Sequence, residues 1–261
     1  MPRFAANLSM MFNEWSFLDR FAAAADAGFK AVEFLFPYEF SPEDVADRLK
    51  AAGLTQALFN LPPGDASKGE RGLAALPGRE EEFAAALDKA LDYAEVLECR
   101  TLHVMSGMIA PGADTAAMHR TFVSNLKMVC DRTAKRDLTI VLEPINHRDI
   151  PGYFTNTTGQ VKQVIEEVGA PHLKLQLDLY HLQVTEGDLQ KRTERLFPIT
   201  AHVQIAGNPD RNEPDVGEAN HLYLLDVLDR LGYDGYVGLE YKPKTTTVAG
   251  LGWAKRYGIH P

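Results

Sequence analysis

Eight times along this chain a short apolar run is followed by a longer helical pattern, with a repeat of roughly 30 residues, and this alternation constrains the fold more than any other feature. The strand candidates are RFAANLS from Arg3, KAVEFLF from Lys30, LTQALFN from Leu54, TLHVMSG from Thr101, LTIVLEP from Leu138, LKLQLDLYH from Leu173, ITAHVQIAG from Ile199 and GYVGLEYKP from Gly235. Helical stretches lie between them at 17–27, 43–52, 80–97, 116–135, 158–168 and 221–231. No linker or composition break divides the 261 residues, a length that matches the roughly 250 residues of an α/β barrel. The expected fold is therefore α/β, a single (β/α)8 TIM barrel over residues 1–261. A doubly wound open sheet is the alternative, but no GxGxxG follows the first strand to support it.

Strand parity places the polar residues. Side chains alternate across a strand, so in LKLQLDLYH the leucines share one face while Lys174, Gln176, Asp178 and Tyr180 share the other. In a barrel the leucines pack under the helices and the polar groups point to the axis. The same alternation sets His202 and Gln204 opposite Val203 and Ile205, Glu240 opposite Val237 and Leu239, and Glu143 opposite Ile140 and Leu142. Strands five to eight thus each deliver one axial oxygen-bearing side chain at or near the C-terminal end: Glu143, Asp178, Gln204 and Glu240.

One acidic residue at a strand end is commonly a helix N-cap or half of a surface ion pair. Three carboxylates brought together are different, because without a cation they repel one another and their protons are held more tightly. A divalent metal resolves the conflict, and an all-oxygen donor set suits Mg²⁺ or Mn²⁺ better than Zn²⁺. The formal net charge of −9 argues against a nucleic-acid binder. It leaves room for a small anionic substrate held by a local cation. The two cysteines, Cys99 and Cys130, belong to no CxxC or Cys/His cluster and read as buried thiols. No apolar run reaches the length of a membrane span, and Asn7 and Ser9 interrupt the apolar segment that a signal peptide would need, so the expected location is the cytoplasm.

The blocks GFKAVEFLFPY, ALFNLPPGD, VLEPINHRDIPGY, QLDLYHLQ, HVQIAGNPDRNEPDVGE and GLEYKPKTTTVAGLGW resemble the hydroxypyruvate isomerase family of the xylose-isomerase-like TIM barrel superfamily, over nearly the whole chain. The resemblance implies Glu143, Asp178, Gln204 and Glu240 as metal ligands, with Glu143 and Glu240 also the acid/base pair. It departs from related ketose epimerases at Gln204, where they carry His. The implied reaction interconverts hydroxypyruvate and tartronate semialdehyde through an ene-diolate, by proton transfer between adjacent carbons. A 2-oxo-tetronate isomerase or a ketose 3-epimerase could use the same site, and endonuclease IV-type phosphodiesterases share the barrel but need several strand-end histidines. A non-catalytic sugar-acid binding protein is a further alternative, with little use for two glutamates around a metal.

The superfamily spacing of Asp, two residues, His implies that His181 hydrogen-bonds a substrate oxygen; otherwise it is a histidine at a helix start. His202 reads as a satisfied core residue, and Glu33 as either support behind the ligands or half of an internal ion pair. Lys242 binds the substrate carboxylate or is a surface lysine. The Gly- and Pro-rich segment 60–80 is a candidate lid carrying Lys68, Arg71 and Arg79, and a guanidinium suits a carboxylate. Arg71 is preferred for that role. A homo-oligomer is compatible with such a barrel, though no feature marks an interface.

Overall fold

The computed structural model describes residues 2–260. Eight parallel strands close into a barrel in chain order: β1 (Arg3–Asn7), β2 (Ala31–Glu33), β3 (Thr55–Asn60), β4 (Thr101–His103), β5 (Thr139–Leu142), β6 (Leu173–Asp178), β7 (Thr200–Ile205) and β8 (Tyr236–Leu239), with β8 pairing back onto β1. The principal helices are α1 (Arg20–Asp26), α2 (Pro42–Ala52), α3 (Glu80–Val96), α4 (Thr115–Thr133), α5 (Thr158–Val168), α6 (Leu179–Thr185), α7 (Leu189–Leu196) and α8 (His221–Leu231). This is the (β/α)8 barrel that the repeat predicts.

Two details differ from the sequence reading. The run LKLQLDLYH does not stay extended to His181. The strand ends at Asp178, whose Oδ1 accepts the Tyr180 amide proton at 2.8 Å and so starts α6 at the next residue. The helical stretch expected at 17–27 opens as a 3-10 turn at Phe17–Asp19 before α1, and the short segments α7 and Leu251–Tyr257 are additional to the expected helices.

The outward faces of the strands build the main core. Ile140, Leu142, Leu173, Leu175, Leu177, Val203, Ile205, Val237 and Leu239 are all buried in one cluster with the helix residues that cover them. The axial faces have another character: Asn7, Glu33, Gln56, Asn60, His103, Gln176, Asp178, His202 and Gln204 are buried polar groups, spaced by Ala5, Ala31 and Gly238. So much buried polarity must be hydrogen-bonded or neutralised. The segment after β3 is tied down, with Ala75 N donating to Ser106 O and Asn125 Nδ2 to Ala74 O, both at 2.8 Å. Among the described residues no helix is long and apolar enough to cross a membrane.

Candidate active site

At the C-terminal end of the barrel a cavity of about 270 Å³ is lined by Arg71, His103, Glu143, His181, Arg211 and Glu240, with Phe36, Met105, Ile145 and Ile150 among its apolar walls. Glu143 and Glu240 each follow the last residue of their strand, so parity aims them at the axis, and both are buried. Asp178 ends β6. One of its oxygens is used as the helix cap, and the other, Oδ2, has no hydrogen-bond partner among the described residues. Glu143 Oε1 is likewise buried without a partner. Glu143, Asp178 and His181 bring potential ligand atoms within 4.8 Å of one another, which makes this the group best placed to hold a metal. Two orphaned carboxylate oxygens at such a point fit a hard cation, which would satisfy both.

His181 stands in α6, three residues past Asp178. Asn146 fixes its ring: Asn146 Oδ1 accepts from Asp149 N at 2.8 Å, which turns Asn146 Nδ2 toward His181 Nδ1, at 2.6 Å. Nδ1 is therefore the acceptor and the ring proton sits on Nε2. Nε2 lies 3.6 Å from Glu143 Oε1 and 3.5 Å from Asp178 Oδ2. Burial first, and the nearby Arg211 second, hold this imidazole well below its usual pKa, so it is a neutral donor facing the carboxylates.

Arg211, in the loop after β7, completes the site. Its Nη2 is 2.9 Å from Glu240 Oε2 and 3.7 Å from Asp178 Oδ2, and its guanidinium lies 5.0 Å from the centre of the Tyr180 ring. Burial opposes its charge, but Glu240, Asp178 and Glu143 outweigh that and hold the proton on. All three carboxyls are shifted above their ordinary range, with desolvation as the largest cause. For all three the Arg211 charge works in the opposite direction. For Glu143 burial comes first and the neighbouring Glu240 and Asp178 charges push in the same direction, so its charged form is disfavoured.

Gln204 is the register partner of Asp178, but its amide is turned to other polar groups. Its Nε2 donates to Glu33 Oε1 at 2.7 Å and its Oε1 accepts from Gln176 Nε2 at 2.6 Å. Glu33 also takes Asn7 Nδ2 at 3.0 Å and lies 2.7 Å from His202 Nε2, so its carboxyl ties three strands together and supports Gln204. Of the four strand-end oxygen groups, Glu143 and Asp178 converge directly with His181, Glu240 is joined to them through Arg211, and Gln204 is engaged by Glu33 and Gln176. Arg71 lines the cavity, with Nη1 donating to Glu70 O at 3.0 Å. Arg79 is held away by Glu70 and Glu82. Lys242 lines a neighbouring outer cavity of about 550 Å³ that shares Met10 and Leu35 with the inner one.

The family model described as xylose isomerase-like TIM barrel matches residues 21–257. The chain belongs to this family. Over 98% of its length it is 54% identical to a 2-oxo-tetronate isomerase of Cupriavidus necator, 99% of which is covered. It is 44% identical, also over 98% of its length, to a hydroxypyruvate isomerase of Escherichia coli, covered in full. A crystal structure described as an AP endonuclease, family 2, from Brucella melitensis superposes with a TM-score of 0.97 at 50% identity, covering 99% of this chain and 100% of that one.

Within this xylose isomerase-like barrel, sequence reasoning passed over Arg211 and His103. Arg211 stands at a φ of 59° in an irregular loop, outside any period, and only its place in the loop following β7 hinted at it. His103 was legible, since TLHVMSG obeys the same alternation as the other strands, with Leu102 outward and His103 axial.

Proposed function

We propose that this protein is an aldose–ketose type isomerase that interconverts hydroxypyruvate and tartronate semialdehyde. The observation that supports it best is the pair Glu143 and Glu240: two buried glutamates, both with raised pKa, lining one small cavity with Arg211 and His181. A carboxylate destabilised by burial is a stronger base than one in water, which suits it to take a proton from carbon. In this reading one glutamate removes the proton, the other returns it to the neighbouring carbon, and the roles exchange when the reaction reverses. The Nε2–H of His181 and the guanidinium of Arg211 donate to the oxygens on which negative charge develops. Arg71, the contact between the 60–80 lid and the substrate, pairs with the acid's carboxylate.

Mg²⁺ or Mn²⁺ would be held by the free oxygens of Glu143 and Asp178, with Glu240 beside them; the Gln204 carbonyl would join the set only by giving up its hydrogen bond from Gln176. When bound, such an ion supplies positive charge to the ene-diolate oxygens. The free buried thiols of Cys99 and Cys130 suit the reducing cytoplasm in which we place the protein.

A second reading, 2-oxo-tetronate as the preferred substrate, is favoured by the higher identity to the Cupriavidus necator protein, 54% against 44%. A phosphodiesterase finds less support, because among the described residues His103 and His181 are the only histidines lining the cavity, and the chain carries a net charge of −9. The test is an activity panel with added Mg²⁺ or Mn²⁺ on hydroxypyruvate, 2-oxo-tetronate, simple ketoses and abasic-site DNA, repeated with Glu143→Gln. Turnover of a short oxo acid that is lost in the variant supports the isomerase; failure to turn over any acid or ketose sinks it.

A further inference from the structure

His103 ends β4 with its side chain in the cavity and almost no exposure, 1%. Its register partner across the β3–β4 pair is Asn60, whose Oδ1 lies 3.2 Å from His103 Nδ1. An amide oxygen accepts, so the ring proton sits on Nδ1 and Nε2 keeps its lone pair. That Nε2 is buried and has no partner among the described residues. His181, by contrast, accepts at Nδ1 and presents a proton at Nε2. The cavity thus holds two histidines of opposite polarity, a donor beside the metal-binding carboxylates and an unused acceptor next to Glu143, whose Oε2 is 3.8 Å from His103 Nδ1. A buried polar atom left without a partner in the free protein is ordinarily completed by water or by a ligand group.

We infer that His103 is a specificity-determining residue whose Nε2 accepts a hydrogen bond from the terminal hydroxyl of a four-carbon 2-oxo acid. The inference rests on the isomerase reading above and takes its second substrate, 2-oxo-tetronate, as the preferred one. In that reading the carbonyl and hydroxyl of the reacting carbons face the carboxylates, His181 and Arg211, and the substrate carboxylate takes a guanidinium. A neutral acceptor matches neither the carboxylate nor the ene-diolate oxygens, which are themselves acceptors. It matches a hydroxyl. Hydroxypyruvate has none beyond its reacting pair, whereas 2-oxo-tetronate has one on its fourth carbon. Met105, Ile145 and Phe36 line the same cavity and offer that hydroxyl no competing oxygen or nitrogen side-chain acceptor. A site built for a hydroxyl discriminates against the analogue lacking it, because its own polar atom is then left unpaired.

The experiment compares kcat/KM for 2-oxo-tetronate, for its 4-deoxy analogue 3-hydroxy-2-oxobutanoate and for hydroxypyruvate, in the unaltered protein, His103→Leu and His103→Gln. The unaltered protein is expected to favour 2-oxo-tetronate over the 4-deoxy acid by about tenfold or more, the value of one lost hydrogen bond. His103→Leu removes most of that ratio, and His103→Gln, which keeps an acceptor, retains part of it. Equal turnover of the two acids by the unaltered protein overturns the inference without any variant having to fold. A His103→Leu protein that loses activity on both acids in the same proportion also overturns it, since that is what a structural role alone would do. Lack of turnover of all three acids by the unaltered protein would instead overturn the isomerase reading, and this inference with it.

Discussion

Arg211 Nη2 donates to Glu240 Oε2 across 2.9 Å, and the Nε of the same guanidinium donates to the Glu240 main-chain carbonyl at 3.2 Å. One side chain from the β7 loop therefore fixes both the backbone and the carboxylate at the end of β8. Removing it leaves the buried Glu240 carboxyl without its partner and its main-chain carbonyl without this donor. Breaking one partner out of a buried pair typically costs about 3–5 kcal/mol. Arg211→Ala is expected to lower stability by that order and to reduce kcat by at least about a hundredfold. Chemical denaturation and steady-state kinetics check the two parts, and Arg211→Lys, which keeps the charge without the fork, should recover stability better than activity. An Arg211→Ala protein as active as the parent would remove Arg211 from the proposed machinery.

Chelation should act through charge. Burial raises the pKa of Glu143, Asp178 and Glu240 in the folded protein. Above the ordinary carboxylate value of about 4, the folded state then binds more protons than the unfolded state, so stability falls as pH rises. The contribution is fully present below that ordinary value and is lost as pH rises through the folded one. A cation that neutralises the cluster removes this loss. The melting temperature in EDTA is therefore expected to fall below that in Mn²⁺ by at least about 4 °C near pH 8, with a smaller gap near pH 5. A gap of the same size at both pH values would argue that the ion, if bound, sits elsewhere.

What was legible in the sequence followed period and parity. Glu143, Asp178 and Glu240 could be placed on one axial surface because their strands alternate strictly and their outward neighbours are Ile, Leu and Val. Parity gives a direction and not a partner. Gln204 shares the axial face with the three acids, yet its amide is committed to Glu33 and Gln176. Which partners an axial amide takes depends on the side chains that neighbouring strands bring alongside it, and no single strand encodes that. Arg211 and the Asn146 brace on His181 come from loops, where no periodicity operates and only the folded chain shows which ends meet.

Arg71 is the cation in the cavity with the fewest commitments. Arg211 serves two carboxylates of the site, while among the described residues the Arg71 side chain bonds to the carbonyl of its own neighbour, Glu70. A half-buried guanidinium so placed can still offer paired N–H groups to a carboxylate. Arg71→Ala is expected to raise KM for hydroxypyruvate about tenfold or more, with a smaller change in kcat, because the contact is the same in ground and transition states. Arg79→Ala, which breaks the bonds to Glu70 and Glu82, should cost some stability of the segment and leave KM nearly as it was. The converse pattern would exchange the two assignments.

Gly238 faces Glu33 across the barrel floor. A Cβ added at position 238 would come within 2.6 Å of Glu33 Cδ, closer than side-chain carbons approach. Glu33 has little freedom to retreat, because Asn7, His202 and Gln204 all hold its carboxylate. The strain must therefore pass either to β8 or to the polar layer beneath Glu240, two residues on. Gly238→Ala is expected to destabilise the fold by about 1–3 kcal/mol, the usual range for overpacking a filled interior. Pairing it with Glu33→Ala should return part of that loss, since the added methyl then has space; the two changes touch, so their effects should not add. A denaturation series on the two single variants and the double variant measures the coupling. Strict additivity would mean that the floor relaxes around the methyl, and that Glu33 is not the element that keeps position 238 free of a side chain.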